Sequence, residues 1–431
     1  MTAVTAAEDF EQSVPRKAFW RLIPLCFGLY VISYINRANI GYAALQMNQD
    51  LGLSSEAFGF AAGIFFIGYF LFEVPSNLAL ARYGARVWIA RILVSWGLLA
   101  VLSAFVQTAW QLYVLRFFLG VAEAGFFPGI IIYLTYWFRA KDQATTIAVF
   151  TAAIPVSLLI GAPLSTLIMD HVSGFGFSGW RWMLLIEGVP PILGGVAALV
   201  LLTNRPADAA WLSPAERGWL EAEIERDHVA RPHMKHLGLL AAITDPKVLF
   251  LSAIYFVYQC GALGVGYWLP QIVKGFGKDL TNLQVGLIST APYAIATVGM
   301  IAWSRRSDRT GERRLHAALP LALAAATLGA VVLTKDLLGS VLLISLALTG
   351  LYAFKAPFWA LPGLFLSRST AAVSIAAINS IGNLGGFVGP YAIGMVKART
   401  GGAVGGLVFL AALTAVAAGM TLAARLKPRE A

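Results

Sequence analysis

Twelve times along this chain an apolar run continues for twenty residues or more. The runs lie at 20–44, 56–81, 86–107, 110–137, 143–169, 181–203, 246–273, 282–304, 315–334, 338–366, 371–396 and 403–424. A helix needs about 20 residues to cross a hydrocarbon core about 30 Å thick. Inside that core every backbone N–H and C=O must be satisfied within the protein, which leaves helices or closed barrels. Runs of this length without period-two alternation are helices, so the chain reads as an all-α integral membrane protein with twelve transmembrane helices. Composition supports this: 58% of residues are hydrophobic and 13% charged, where soluble domains carry about 25% charged. The two cysteines, Cys26 and Cys260, both sit in apolar runs and suggest no disulfide framework. The opening residues, with Glu8, Asp9 and Glu11, lack the basic-then-apolar order of a cleaved signal.

The long polar interval falls between the sixth and seventh runs. This divides the chain into a tail (1–19), a first six-helix bundle (20–203), a linker (204–245), a second bundle (246–424) and a tail (425–431). Within the linker, Glu221 to Asp227 reads as an amphipathic helix on the membrane surface. Placing both termini in the cytoplasm gathers Arg16, Lys17, Arg82, Arg86, Arg139, Lys141, Arg305, Arg306, Arg309 and the linker there. The other side keeps Arg181, Lys274, Lys278, Lys335, Lys397 and Arg399. That asymmetry is the positive-inside pattern, and the net charge of +10 then needs no nucleic acid. The halves also echo each other. Arg82-Tyr-Gly84 follows the second run and Arg309-Thr-Gly311 the eighth. Parallel six-helix repeats are a transporter architecture.

Charges inside the runs point to function, because each costs at least about 2.5–3.5 kcal/mol at the bilayer centre. Arg116 and Glu123 stand seven residues apart in the fourth run, near two helical turns, and so project from one face. They can form a structural ion pair or serve transport. Arg37 lies deep in the first run, on a face shared with Tyr30, Tyr34 and Gly41; its alternative is to snorkel outward. Lys355 lies near the middle of the tenth run. Three cations thus face one mid-membrane acid, Glu123, and the excess calls for an anion. Arginine's fork suits a carboxylate. A desolvated lysine can titrate, so Glu123 and Lys355 are the candidate proton carriers.

Several stretches carry a family resemblance. The two Arg-x-Gly loops are similar to the signature of the major facilitator superfamily. The first copy has Asn77 and Ala81 where the signature has glycine and aspartate; the second keeps Asp308. More narrowly, Tyr34 to Gly41, Glu73 to Asn77, Arg116 to Gly125, Gly179 to Trp182, Pro357 to Pro362 and Asn379 to Pro390 resemble the anion:cation symporters. Those include permeases for galactonate, tartrate, phthalate and hydroxyphenylacetate. The resemblance implies that Tyr34, Arg37, Tyr69, Arg116, Gln259, Phe358, Trp359 and Asn379 lie at the substrate. It also marks two departures. Asn36 replaces an aspartate thought to carry a proton, and Lys355 replaces a small residue.

Other polar groups read as follows. Gln259 and Asn379 either contact substrate or bond between helices, and Asn383 bonds between helices. Glu73, Asp308 and Arg309 are candidate gate residues, with a solvated interfacial acid as the alternative for Glu73. His233 and His236 lack accompanying cysteines and read as solvated loop, not metal ligands. Gly174 to Gly179 mimics a dinucleotide fingerprint without the strand that one needs. The expectation is therefore a monomeric, proton-coupled symporter of a small organic anion in the inner membrane, with no cofactor and no metal. The rivals are a proton-driven exporter on the same fold and, from another class, a membrane enzyme or sensor.

Overall fold

The computed structural model describes residues 3–230, 244–362, 368–401 and 403–424. His233, His236, most of the linker's second half, the end of the tenth run and the C-terminal tail lie outside the described residues. The helices are α1 (Ala3–Asp50), α2 (Ser55–Tyr83), α3 (Ala85–Leu102), α4 (Ala109–Glu123), α5 (Phe126–Thr135), α6 (Ala140–Thr151), α7 (Ala153–His171) and α8 (Gly179–Leu201) in the first half. Then come α9 (Pro214–Ala230), α10 (Pro246–Phe276), α11 (Asn282–Thr310), α12 (Arg314–Ala330), α13 (Leu337–Ala360), α14 (Arg368–Asn383), α15 (Gly385–Thr400) and α16 (Ala403–Ala423). Among the described residues there is no strand, only one bridge between Gly174 and Phe177 in the false fingerprint.

Eleven helical stretches among the described residues are long and apolar enough to cross a membrane. The remaining run, 371–396, is broken at Leu384 into α14 and α15. Glycines bring it hard against α10. A Cβ on Gly389 would lie 2.2 Å from the Cys260 carbonyl oxygen, and one on Gly385 would lie 2.4 Å from that of Phe256. The fourth span also breaks, at Gly125, which takes the left-handed φ of 85°. The N-terminal tail differs from expectation: it is helical from Ala3 and continuous with the first span.

The repeat has a local cause. α2 and α11 are each 29 residues long. Ser54 caps the first by accepting from the Ala57 amide, and Thr281 caps the second by accepting from the Gln284 amide. They end at Gly84 (φ 85°) and Gly311 (φ 69°). An L side chain resists that region of φ, so the glycine of each Arg-x-Gly loop terminates its helix.

The halves meet through α2 on α15, α7 on α11 and α1 on α10. On the face away from the chain termini they form a tight seam. A Cβ on Gly59 would lie 2.4 Å from the Pro390 carbonyl oxygen, and one on Gly394 would lie 2.4 Å from that of Ser55. Tyr391 Oη donates to Glu56 at 3.1 Å. Asp170 accepts from the Asn282 side chain at 2.6 Å and the Leu283 amide at 2.7 Å. Toward the termini, Ser380 Oγ of α14 donates to Glu73 of α2 at 2.9 Å. On that face α9, which contains the run from Glu221 to Asp227, docks on the start of α1. Lys17 pairs with Glu216, and Phe10 meets Trp219 edge-on at 6.0 Å.

Candidate substrate and proton site

Between the halves lies a small cavity lined by Tyr34 and Arg37 of α1, Tyr267 of α10, Tyr293 of α11 and Tyr352 of α13. Helical spacing puts Tyr34, Arg37 and Gly41 on this face, and Gly41 lets α1 approach α10: a Cβ there would lie 2.9 Å from the Tyr267 carbonyl oxygen.

Arg37 is the charged centre. Its Nε donates to Glu123 Oε1 at 3.1 Å, and its Nη2 pairs with the same oxygen. Ser33 Oγ adds a third donor to Oε1 at 3.3 Å. Glu123 Oε2 is buried and has no partner. The guanidinium carbon sits over the rings of Tyr34 (5.7 Å), Phe65 (5.3 Å) and Tyr69 (5.3 Å). Snorkelling is therefore not what Arg37 does here. Its charge is held by a carboxylate and three π faces.

Arg116 and Glu123 share α4 and are both buried, yet they do not pair with each other. Arg116 donates to the Ala61 and Ala62 carbonyls of α2 at 3.3 and 3.5 Å. Its guanidinium carbon lies 5.1 Å from the Phe65 ring centroid. A Cβ on Gly120 would lie 2.0 Å from the Phe65 carbonyl oxygen, so only glycine lets α4 come this close to α2. Glu123 is left to Arg37.

The C-terminal wall is aromatic. Tyr255, Tyr258, Phe354, Phe358 and Trp359 form one ring cluster, with Tyr255 stacked on Phe358 at 5.4 Å and Tyr258 against Phe354 at 4.4 Å. Phe358 and Trp359 belong to this cluster and are not among the residues that line the cavity. Gln259 Nε2 donates to Asn383 Oδ1 at 3.0 Å, joining α10 to α14. Asn379 is half-buried, and its side chain bonds to no other described residue. Lys355 is half-buried; its ammonium lies 5.5 Å from the Tyr352 ring and has no acid partner among the described residues.

The gate candidates separate. Glu73 is buried and held by Ser380, so it is not a solvated interfacial acid. Asp308 pairs at 2.6 Å with Arg313 of its own loop, and Arg309 is exposed. The count of mid-membrane acids needs correcting. Glu187, in the middle of α8, is 4% exposed. Its signal was present as an acid inside Leu-Leu-Ile-Glu-Gly.

The sequence profile described as the Major Facilitator Superfamily matches residues 26–390. The chain belongs to that superfamily. Among relatives of this transporter family, a protein of Agrobacterium vitis named "Putative tartrate transporter" is 47% identical over 96% of this chain and 95% of its own length. A "Quinolone resistance transporter" of Acinetobacter baumannii is 39% identical over 93% and 92%. The fold matches a bacterial homolog of the human lysosomal transporter Spinster, in an inward-facing and unoccupied conformation. That match has TM-score 0.79 at 15% identity, over 94% of this chain and 96% of that one. A D-xylose-proton symporter matches at TM-score 0.73 and 15% identity, over 95% and 98%. The protein is thus a multi-pass membrane transporter of the superfamily and not an enzyme.

Proposed function

We propose that this transporter carries a small organic anion, a dicarboxylate or hydroxy acid of the tartrate class, together with protons. The observation that carries the reading is the charge at and beside the cavity: Arg37 in its lining, and Lys355, 5.5 Å from the ring of the lining residue Tyr352, with no acid partner among the described residues. Arg37 binds one carboxylate through its fork and Lys355 attracts the other end. The name of the 47% relative points the same way.

Glu123 supplies the coupling. A proton arriving on its free Oε2 removes the negative charge that holds Arg37, and the guanidinium turns to the substrate. Deprotonation restores the pair and expels the anion. Arg37, Arg116 and Lys355 leave a charge of +3 when Glu123 is neutral, and a dianion brings this to +1. With the termini in the cytoplasm of a bacterial inner membrane, the tight seam lies on the outward face. Importing a dianion with one proton would work against the membrane potential at about 2.3 kcal/mol per 100 mV. Two protons make the step electroneutral.

The test is uptake of labelled tartrate and other organic anions by proteoliposomes under an imposed pH gradient. Accumulation that a protonophore abolishes is expected; equilibration alone rejects symport. The 39% relative's name favours a second reading, proton-driven export on the same fold. Efflux of preloaded substrate driven by an inward proton gradient would select it.

A further inference from the structure

A second and larger cavity, of about 580 Å³, lies away from the Arg37 site, among α11, α12 and α13 of the second half. α13 packs against both of the other helices and forms its floor. Two glycines set its depth. A Cβ on Gly299 of α11 would lie 2.3 Å from Thr349 Cγ2 of α13, and one on Gly350 of α13 would lie 2.2 Å from the Pro320 carbonyl oxygen of α12. α11 and α12 are each drawn down onto α13, and a furrow remains between their outer faces.

The walls are Ala302 and Trp303 of α11 and Leu319 and Leu323 of α12, and the lining holds a single charged residue, Arg306. Val298, Ile301 and Leu315 beside it are exposed apolar side chains, so this face of the span meets lipid. Gly299 stands seven residues from Arg306 on α11. The apolar furrow therefore reaches about 10 Å into the membrane from the arginine. Arg306 lies near the end of α11, on the face of the molecule that carries the chain termini, and Arg309 follows it on the same side of the helix. At this depth the Trp303 indole N–H donates to the His316 carbonyl of α12 at 2.7 Å, clasping the two walls.

The charge at the mouth is not spent within the protein. Of the nearby acids, Asp308 pairs with Arg313 at 2.6 Å. Glu312 accepts from the Leu315 and His316 amides at 2.8 and 3.0 Å and meets the His316 ring. Arg306 and Arg309 form no ion pair among the described residues. A guanidinium fork matches phosphate oxygens, and basic pockets between spans at this level suit anionic headgroups. A soluble anion would satisfy the arginines and leave the furrow empty. A zwitterionic lipid would fill the furrow but bring its own cation to the arginines. An anionic phospholipid satisfies both ends.

We infer that the furrow between α11 and α12 is a binding site for one anionic phospholipid of the leaflet on the side of the termini. One acyl chain lies over Thr349 and Gly350, between Ala302 and Leu323. The headgroup phosphate is held by Arg306, with Arg309 as the second cation. The lipid bridges α11 to α12, so its binding stabilises this corner of the second half. The site does not depend on which anion is transported or on proton coupling.

The test is native mass spectrometry with thermal unfolding of the full-length transporter in detergent. It is titrated with dioleoyl phosphatidylglycerol or with dioleoyl phosphatidylcholine, which has the same chains and no net charge. One phosphatidylglycerol should be retained about tenfold more tightly than phosphatidylcholine and should raise the unfolding temperature. Arg306→Gln should bring the two lipids to equal retention. Ala302→Phe fills the furrow, keeps every arginine, and should weaken phosphatidylglycerol about tenfold. Both positions are exposed, so both variants should unfold at the wild-type temperature in lipid-free detergent. Arg305→Gln, about 100° away around the helix, should retain phosphatidylglycerol as the wild type does. Equal retention of the two lipids by the wild type, or a preference that survives Arg306→Gln, overturns the site. So does displacement of the lipid by soluble glycerol phosphate at equal concentration, which would mark a plain anion site, or its exclusion by a dimer of the chain.

Discussion

Arg37, Glu123 and Arg116 in the first half and Tyr255, Tyr258, Phe354 and Phe358 in the second come from halves built to one plan. α2 and α11 share a length, a hydroxyl N-cap and a terminal left-handed glycine. Their neighbours diverged in chemistry. In the first half, buried charges sit within reach of carboxylates, carbonyls or rings, at Arg37–Glu123 and at Arg116 over Ala61 and Ala62. In the second, the described core is aromatic, and its one cation near the cavity, Lys355, has only a ring beside it. A paired charge can be switched by a proton. A cation without an acid partner is free to attract an anion. The first half is thus suited to coupling and the second to selection.

That division can be broken at its strongest point first. Arg37→Lys replaces a fork by a point charge. Losing one charge-assisted hydrogen bond, about 1.5–3 kcal/mol, should weaken substrate affinity roughly 10–150-fold in a binding titration. Unchanged affinity would end the bidentate reading. Glu123→Gln should keep substrate exchange but lower pH-gradient-driven accumulation about tenfold per unit of gradient. Normal accumulation would move coupling out of the Arg37 pair. Lys355→Met tests the other half. Dicarboxylate uptake should fall about tenfold, while simple monocarboxylates are spared. Equal loss of both would make Lys355 structural.

The smallest effect lies outside the cavity. Glu216 is held below its ordinary carboxylate range, first by the hydrogen bond from Lys17 and next by the Ser213 amide. Its folded value is depressed, so the contact contributes above the unfolded value near 4.3 and fades as pH falls through the lower folded one. Being screened by water, it is worth under about 1 kcal/mol. Limited proteolysis of α9 should quicken on acidification in the wild type and be fast at both pH values in Glu216→Gln.

The spans were legible because apolar length admits one solution in a bilayer. The charges at 37, 116, 123 and 355 were legible because each is expensive where it stands. Their partners were not. Residues seven apart on one helix share a face, but Gly120 draws α4 onto α2 so closely that Arg116 reaches carbonyls and Glu123 reaches α1 instead. Glu187 stands in an apolar run as Glu123 does, and only the packing of α1 and α7 shows what surrounds it. The break at Leu384 falls at the pair Gly385-Gly386, a local signal, but the close approach to α10 that the glycines allow is not written in 371–396 itself.

The unbroken first helix gives the site a mechanical setting. At 1.5 Å per residue, Arg37 stands about 20 Å from Asp50 and about 40 Å from Phe10. Asp50 is anchored by Ser178 and by the Trp180 indole N–H at 2.8 Å, and Phe10 rests on Trp219. The Asp50 anchor belongs to the first half and α9 docks on that half, so the helix ties the ion pair to it at either end, and the pair travels with it as one body when the halves part.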